Sequence, residues 1–215
     1  MKNIVRRISV LVLVFTIVIT CMSAFNTQSA DAASGRPLPE KVSYIVLPDK
    51  NMNKIKLTGK FTYNISKCSS SKKSVAAVKG KSSKAYILVK KAGSTDLKLK
   101  AKKKGADKYS TYKASVTVYE YTNPFKTYRI GKKSFKKRYD SSLLYGTSGV
   151  LKGKVTIKAA EGWKLVSISK MGPDDDDFIK IKNGSSVKIP QMGEVRVVMK
   201  HKASGQKVTF SNISM

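Results

Sequence analysis

The sequence predicts an all-β protein that consists of two tandem β-sandwich domains behind a cleaved signal peptide. Apolar residues alternate with polar ones at period two in short runs from Val42 onward, and residues typical of turns separate these runs. After the first 32 residues, no stretch keeps a helical period over three turns. Strands of about five residues at such spacing are typical of sandwiches and barrels.

Residues 1–32 have the pattern of a secretory signal peptide. Basic residues near the start form a positive region (Lys2, Arg6 and Arg7), and the apolar run from Ile8 to Ile19 is short for a bilayer span. Ala30 and Ala32 supply small residues at the spacing that a signal peptidase needs. We expect cleavage after Ala32 and a secreted protein that either leaves the cell or stays at its wall.

Two alternatives to a cleaved signal are a retained membrane anchor and a lipoprotein modified at Cys21. Thr20 stands where a lipobox has Gly, Ala or Ser, which disfavours lipidation. No later segment is apolar enough to span a membrane, so we expect no membrane insertion after signal cleavage.

A short polar linker, residues 33–41, precedes a first domain at 42–120. Its strand patterns place apolar residues on one face and lysine on the other: Ile55 and Leu57; Phe61, Tyr63 and Ile65; Leu97, Leu99 and Ala101; Ala114, Val116 and Val118. We expect "KSVAAVK", which begins at Lys73, to share a sheet with "DLKLKAKKKG", which ends at Gly105. That sheet would have an apolar inner face and a lysine-rich outer face.

The Asn-Pro pair in "YTNPF" predicts a linker at residues 121–125 and a second domain at 126–215. Within that domain, Asn183-Gly184 predicts a hairpin turn between Ile179–Ile181 and Val187–Ile189. A further hairpin is expected around Gly205. Strand count and length predict an Ig-like sandwich here too.

Residues 42–120 resemble a bacterial immunoglobulin-like domain of group 2. The resemblance lies in Ser70-Ser71 before "VAAV" (Val75–Val78), "KKAGST" (Lys90–Thr95) and a closing "SVTV" that ends at Val118. It implies an Ig-like fold and a surface or secreted protein in which such domains act as spacers or binding modules. It also places Cys68 where the family often has tryptophan, which implies a buried core residue.

We predict no catalytic site and no cofactor. The second domain's His201 and the first domain's Cys68 are single residues without a local motif or an orienting partner, so a thiol enzyme is disfavoured. Asp174, Asp175, Asp176 and Asp177 are weak candidates for calcium, because consecutive side chains point in different directions and the run lacks the glycine of a calcium loop. A solvated turn is the simpler interpretation of this run.

Positive charge is the strongest signal in the sequence. The chain has 43 Lys and Arg against 13 Asp and Glu, and residues 1–32 hold three of the basic and one of the acidic residues, which leaves 40, 12 and a net charge of +28. Most of these cations are lysine, which acts as a mobile point charge and suits diffuse attraction to a polyanion. Lysine also protects strand edges from aggregation, but glutamate would solubilise equally well.

We therefore expect a non-catalytic protein that attaches electrostatically to an anionic cell-surface or host polysaccharide, such as teichoic acid, mucin or a sulfated glycan. Nucleic acid would be bound only non-specifically. The densest basic clusters, both expected in exposed loops, supply the predicted binding residues: Lys100, Lys102, Lys103, Lys104, Lys132, Lys133, Lys136 and Lys137. The alternative is a structural spacer or assembly subunit that binds a protein partner through its Ig-like domain, and a hydrolase is a distant third.

Overall fold

The computed structural model describes residues 36–57, 63–81 and 84–215. The predicted signal peptide, residues 33–35 of the predicted linker, and Phe61 lie outside these residues.

The N-terminal half contains two sheets, and the alternating patterns of the sequence form their strands. The strands are β1 (Lys41–Ile45), β2 (Lys54–Leu57), β3 (Tyr63–Ser70), β4 (Ala76–Lys81), β5 (Lys84–Val89), β6 (Gly93–Lys103) and β7 (Ser110–Tyr119). One sheet has the order β1-β7-β6-β3 and the other the order β2-β5-β4. β1 runs parallel to β7, and the remaining pairs are antiparallel.

Apolar side chains of the two N-terminal sheets meet in one core. β6 buries every second residue, Leu97, Leu99 and Ala101, and exposes the lysines between them, as the alternation predicts. β7 does the same with Ala114, Val116 and Val118. The other buried residues of this core are Leu38, Tyr44, Ile55, Tyr63, Val75, Ala76, Val78, Ile87 and Val89.

The C-terminal half repeats the architecture with nine strands in its described residues. They are β8 (Phe125–Ile130), β9 (Lys133–Ser134), β10 (Leu144–Thr147), β11 (Leu151–Ala159), β12 (Trp163–Met171), β13 (Ile179–Ile181), β14 (Ser186–Ile189), β15 (Glu194–His201) and β16 (Lys207–Ser214). The sheet orders are β10-β16-β15-β12-β13 and β14-β11-β8-β9. The molecule is thus all-β with tandem Ig-like sandwiches, as predicted from the sequence.

Aromatic rings fill the core of the C-terminal sandwich. The ring of Phe125 lies 5.0 Å from that of Tyr128 and 5.1 Å from that of Phe210, and Tyr139 stacks on Tyr128 at 5.6 Å. Burial raises the pKa of the Tyr128 and Tyr139 hydroxyls well above the usual value of tyrosine. Offset and edge-to-face contacts of this kind stabilise a core beyond the area that they bury.

Of the two hairpins predicted in this half, one is confirmed and one is wrong. β15 and β16 pair antiparallel across a turn at Gly205, whose φ is 71°. β13 and β14 instead belong to different sheets, and the turn at Asn183-Gly184 carries the chain from one sheet to the other. The Asn183 amide fixes this crossing, because it bonds both the N–H and the C=O of Ile157.

A second expectation about pairing is also wrong. "KSVAAVK" and "DLKLKAKKKG" do not share a sheet, because β4 pairs with β5 whereas β6 pairs with β3 and β7. The residues from Val75 to Val78 are all buried, since β4 packs against the edge strand β3 of the other sheet as well as along its own sheet. The outward lysines of the two segments consequently lie on opposite faces of the sandwich.

The two sandwiches meet at a buried junction. Ile45, the last residue of β1, and Leu47 beyond it are buried in the C-terminal core. Asn53 holds Leu47 in place by bonding its N–H and C=O. The backbone N–H of Ile45 donates to Oε1 of Gln206 at 2.8 Å. Such buried contacts couple the two sandwiches. The domain boundary at residues 121–125 stays a prediction from the sequence.

Candidate functional site

The first predicted basic cluster lies mostly on a strand rather than in a loop. β6 extends to Lys103, so that only Lys104 belongs to the turn that leads to β7. Lys100 and Lys102 point outward from the four-stranded sheet, and Nζ of Lys102 lies 5.5 Å from the centre of the Tyr109 ring. A strand holds its side chains in a fixed order, which a loop would not.

The second predicted cluster is exposed, and buried neighbouring side chains hold its backbone in place. Lys132 lies in the turn between β8 and β9, and Lys133 on β9 donates to the carbonyl of Ser148 at 3.4 Å. Lys136 and Lys137 begin a 3-10 helix, Lys136–Asp140. Phe135 and Tyr139 on either side of these lysines are buried in the core, which keeps the lysines at the surface.

The two predicted clusters lie apart. Gly93, at the start of β6, pairs with Val118 next to the linker, so Lys103 stands at the far end of that 11-residue strand, about 33 Å away. Lys136, by contrast, is beside the linker, because its carbonyl accepts from the side chain of Asn123. A polymer would have to extend over the N-terminal sandwich to contact both clusters at once.

Strand pairing creates a denser arrangement on the outer face of the four-stranded sheet. Lys100 of β6 is the direct cross-strand partner of Lys67 of β3, and Lys98 of β6 is the partner of Lys113 of β7. All of them are exposed. We name this set the lysine face: Lys67, Lys98, Lys100 and Lys113.

Like charges in these positions repel each other. Residues directly opposite in an antiparallel pair have Cβ atoms about 4.5–5.5 Å apart, and like-charged pairs destabilise the sheet. Two ion pairs are identified between described residues, Arg36 with Glu40 and Arg196 with Glu194, and both use arginine. Neither neutralises the lysine face.

Carboxylates and an arginine border one end of the lysine face. Arg36, Glu40, Asp96, Lys98 and Lys113 line an open groove of about 560 Å³ there. Asp96 is already engaged, because its Oδ1 accepts from the hydroxyl of Ser115 at 2.9 Å.

Sequence reasoning missed a second arrangement, on the C-terminal sandwich. Lys164 of β12 pairs with Lys200 of β15, which in turn pairs with Lys207 of β16. We name these three residues the lysine row. On the other C-terminal sheet, Lys152 of β11 pairs with Lys188 of β14. None of these lysines lies in a dense basic run of the sequence. Only the register of the strands shows that they are neighbours.

Cys68 is half-buried, so the expectation of a buried core residue is wrong. It lies on β3, an edge strand, where its side chain packs against the margin of the core and Sγ lies 4.0 Å from the carbonyl oxygen of Gly80. An open groove of about 590 Å³ runs past it, lined also by Lys73, Lys79 and Lys90. Partial burial raises the pKa of the thiol, which lowers the thiolate fraction at neutral pH.

His201 is a buried residue of the sandwich junction. Its Nδ1 lies 3.0 Å from the Ser204 hydroxyl and accepts from the Ser204 backbone N–H at 3.2 Å, and its ring contacts those of Trp163 and Tyr119. Burial lowers the pKa of the imidazole, which keeps it neutral at pH 7. Cys68 and His201 thus have different neighbouring residues.

The four aspartates at 174–177 are exposed and follow β12 in a turn. Asp175 accepts from the backbone N–H of Gly172, which is a local turn contact. Among the described residues, no three His, Cys, Asp or Glu side chains converge as metal ligands. Nor does this part of the chain include a helix long and apolar enough to cross a membrane.

Comparison with known proteins identifies similar folds alone. No protein-family model matches the sequence, and no curated protein is significantly similar to it. Solved structures that resemble the chain include domains 4–9 of the surface-layer protein SbsC, at 17% identity over 82% of this chain and 30% of that chain with a TM-score of 0.27. The D00-D0 domain of intimin is 9% identical over 80% of this chain and 96% of that one, with a TM-score of 0.26.

An endo-fucoidan hydrolase structure is similar to the same extent, at 9% identity over 83% of this chain and 28% of that chain with a TM-score of 0.26. The chain thus spans less than a third of the surface-layer and hydrolase structures. TM-scores in this range are no basis for a function, and the resemblance to group 2 bacterial Ig-like domains stays a prediction from sequence.

Proposed function

We propose that this chain is a secreted, non-catalytic protein that attaches electrostatically to anionic polymers of a cell surface or a host, such as wall teichoic acid, mucin or sulfated glycans. The observation that supports the proposal best is the lysine face. Its four lysines are opposed in direct cross-strand pairs, Lys67 with Lys100 and Lys98 with Lys113.

A polyanion would relieve the repulsion within this face. The sheet fixes the backbone of each lysine, so that the ammonium groups can separate only by bending their stems. An anionic chain lying between paired lysines would turn repulsive contacts into attractive ones and would release the counterions condensed along the polymer. The net charge of +28 after removal of residues 1–32 adds a long-range attraction to the same ligands.

The predicted clusters extend this surface. Lys102 continues the lysine face toward the end of β6, Lys103 ends that strand on its other side, and Lys104 follows in the turn. Lys132, Lys133, Lys136 and Lys137 form a separate contact on the C-terminal sandwich. Lysine rather than arginine at these positions favours broad attraction over bidentate recognition of one group. Such attachment would hold the secreted protein at the wall of the producing cell or at a host surface.

The test measures retention of the mature chain, residues 33–215, on isolated cell walls, on walls stripped of teichoic acid, on mucin and on heparin across a salt series. One variant changes the eight predicted lysines to glutamine: Lys100, Lys102, Lys103, Lys104, Lys132, Lys133, Lys136 and Lys137. Its matched control changes eight other exposed lysines: Lys72, Lys73, Lys79, Lys91, Lys108, Lys126, Lys158 and Lys182. Both variants lose the same net charge.

We expect the first variant to elute at distinctly lower salt than the control on at least one polymer. Equal elution of the two variants would show that total charge alone acts and would remove the predicted residues from the site. Failure of the unmodified chain to bind any of the polymers at about 0.15 M salt would refute the proposed function, because a net charge this large should bind a polyanion there if one is its ligand.

The junction supports a second candidate, a rigid spacer or assembly subunit that binds another protein. The buried bond from Ile45 to Gln206 and the insertion of Leu47 into the C-terminal core couple the two sandwiches. A spacer that transmits a fixed orientation needs such a joint. Isolation of a protein complex that survives high salt would favour this candidate over polyanion attachment.

A further inference from the structure

The lysine row lies on a single line across three adjacent strands. Lys164, Lys200 and Lys207 are consecutive cross-strand partners on β12, β15 and β16, and all three are exposed. Because neighbouring strands are about 4.8 Å apart, the line is about 10 Å long at the backbone. No ion pair between described residues neutralises any of the three.

The strands beneath the lysine row are held rigidly. Trp163 and His201, each next to a row residue, turn inward and contact ring to ring at 5.0 Å, and Nε1 of Trp163 donates to Oγ1 of Thr122 at 3.0 Å. Gln206, next to Lys207, bonds the N–H of Ile45. The three backbone positions are thus fixed before any ligand arrives, which lowers the entropic cost of binding.

We propose that the lysine row is a distinct binding site for a linear phosphodiester polymer, which lies across β12, β15 and β16 with successive phosphates over successive lysines. The proposal rests on the proposed function and names the class of polyanion that this part of the molecule takes. Polyol phosphates and single-stranded nucleic acid share this chemistry, and the test below separates them.

Lysine at this site suits a polymer that carries one discrete charge per repeat. A lysine binds a phosphate as a point charge, whereas arginine provides the planar fork that suits bidentate contacts with carboxylate or phosphate. Arg196 lies on β15 too, but it already pairs with Glu194, where Nε and Oε1 are 3.1 Å apart. Each flexible lysine stem lets its ammonium follow a polymer that carries one charge per repeat.

The flanks of the lysine row favour a polyol backbone over bases or sugar rings. The next positions toward the centre of the sheet are Val198 and Thr209, together with Val166 and Ser167 at the bulge of β12. None of them provides an aromatic ring, which proteins use to stack nucleotide bases. A ligand therefore binds these positions through its charge. A polyol phosphate chain provides such charges and needs no partner for a planar ring.

The test compares K164Q/K200Q/K207Q with K91Q/K108Q/K182Q, in which three exposed and scattered lysines are changed and the net charge falls equally. The probes are poly(glycerol phosphate), single-stranded DNA, heparin and vesicles that contain phosphatidylglycerol. Thermal unfolding followed by circular dichroism checks that both variants fold, and K200Q alone is a milder change at the centre of the row.

We expect the row variant to bind poly(glycerol phosphate) about 10- to 100-fold more weakly than the unmodified chain at about 0.15 M salt, since about 0.7 counterions are released per phosphate neutralised on a single strand. Its slope of log K against log salt should fall by about two. The control variant should lose clearly less affinity for poly(glycerol phosphate). The row variant should lose less affinity for heparin and for the vesicles than for the phosphodiester polymer. A greater loss on DNA than on poly(glycerol phosphate) would assign the site to nucleic acid.

Equal losses in the two variants would overturn the inference while leaving the proposed function in place, because general charge would then explain the binding. A larger loss on heparin or on vesicles would overturn it as well, since the row would then bind a sulfated glycan or a membrane. If the unmodified chain binds none of the probes and none of the wall polymers, the proposed function fails and this inference with it.

Discussion

The backbone N–H of Ile45 donates to the side-chain oxygen of Gln206 at 2.8 Å, and this bond connects the end of β1 with the turn before β16. Both residues are buried. An N–H in this position would otherwise be shielded from water without a partner, which costs more free energy than the bond itself contributes. Gln206 thereby links the integrity of the junction to the folding of both sandwiches.

Replacement of Gln206 by alanine should lower the free energy of unfolding by about 1–3 kcal/mol, because the Ile45 N–H is left unpaired. Denaturation in urea measures the loss, and limited proteolysis should show faster cleavage near residues 121–125. The matched control is Lys207→Ala, an exposed neighbour for which we expect a change within about 0.5 kcal/mol. Equal stability of Q206A and K207A would contradict the assigned role.

Stability should fall as the pH decreases through the titration of His201. Burial lowers the pKa of this imidazole below its usual 6.5, so the unfolded chain binds a proton at a higher pH than the folded chain does. The contribution of the neutral ring is therefore complete above about pH 6.5 and is lost as the pH falls through the lower, folded pKa. Urea midpoints measured between pH 7.5 and 5 should show this step.

The variant His201→Gln provides the control for that step. Glutamine cannot titrate, so the part of the pH dependence that belongs to His201 should disappear even if the variant is less stable at every pH. Trp163, the single tryptophan of the chain, reports on the same place, because its ring lies 5.0 Å from the imidazole. An unchanged pH profile in the variant would exclude His201 as the source.

Two glycines with similar backbone angles should differ in their tolerance of alanine. Gly131 and Gly162 have φ values of 58° and 77°, so a side chain costs about 1–2 kcal/mol at either. A Cβ at Gly162 would meet no atom within 4 Å, whereas a Cβ at Gly131 would collide with the carbonyl oxygen of Lys152. We expect G131A to be less stable than G162A by about a further 1–3 kcal/mol.

Urea denaturation of the two alanine variants tests this difference. Their backbone strain is similar, so the difference isolates the close approach of the β8–β9 turn to β11. Equal losses in G131A and G162A would mean that the backbone at Lys152 relaxes at no cost.

The sequence predicts the strands of this molecule better than their partners. Alternation at Leu97, Leu99 and Ala101 specifies which side of β6 is buried, and a turn at Gly205 specifies a local hairpin. The Asn183-Gly184 turn shows the limit of such reasoning. Its residues favour a tight reversal, but whether the two flanking strands then pair depends on long-range bonds, here those of Asn183 to Ile157.

The candidate site depends on the same long-range information. Lys102, Lys103 and Lys104 stand out because they are adjacent in the sequence. Lys67 and Lys113 become significant only when register places them opposite Lys100 and Lys98. A period of two predicts that such lysines point outward, yet it cannot tell which of them face each other.

Stability and polymer attachment should trade off on the lysine face. The change Lys113→Glu places opposite charges across from each other at Lys98 and position 113, which should raise the free energy of unfolding by about 0.2–1 kcal/mol. The gain should shrink at about 1 M salt, where such charges are screened. Polyanion retention should weaken at the same time. Lys108→Glu, in the turn after β6, has the same charge but no direct cross-strand partner, so a comparable gain there would show that the repulsion is general.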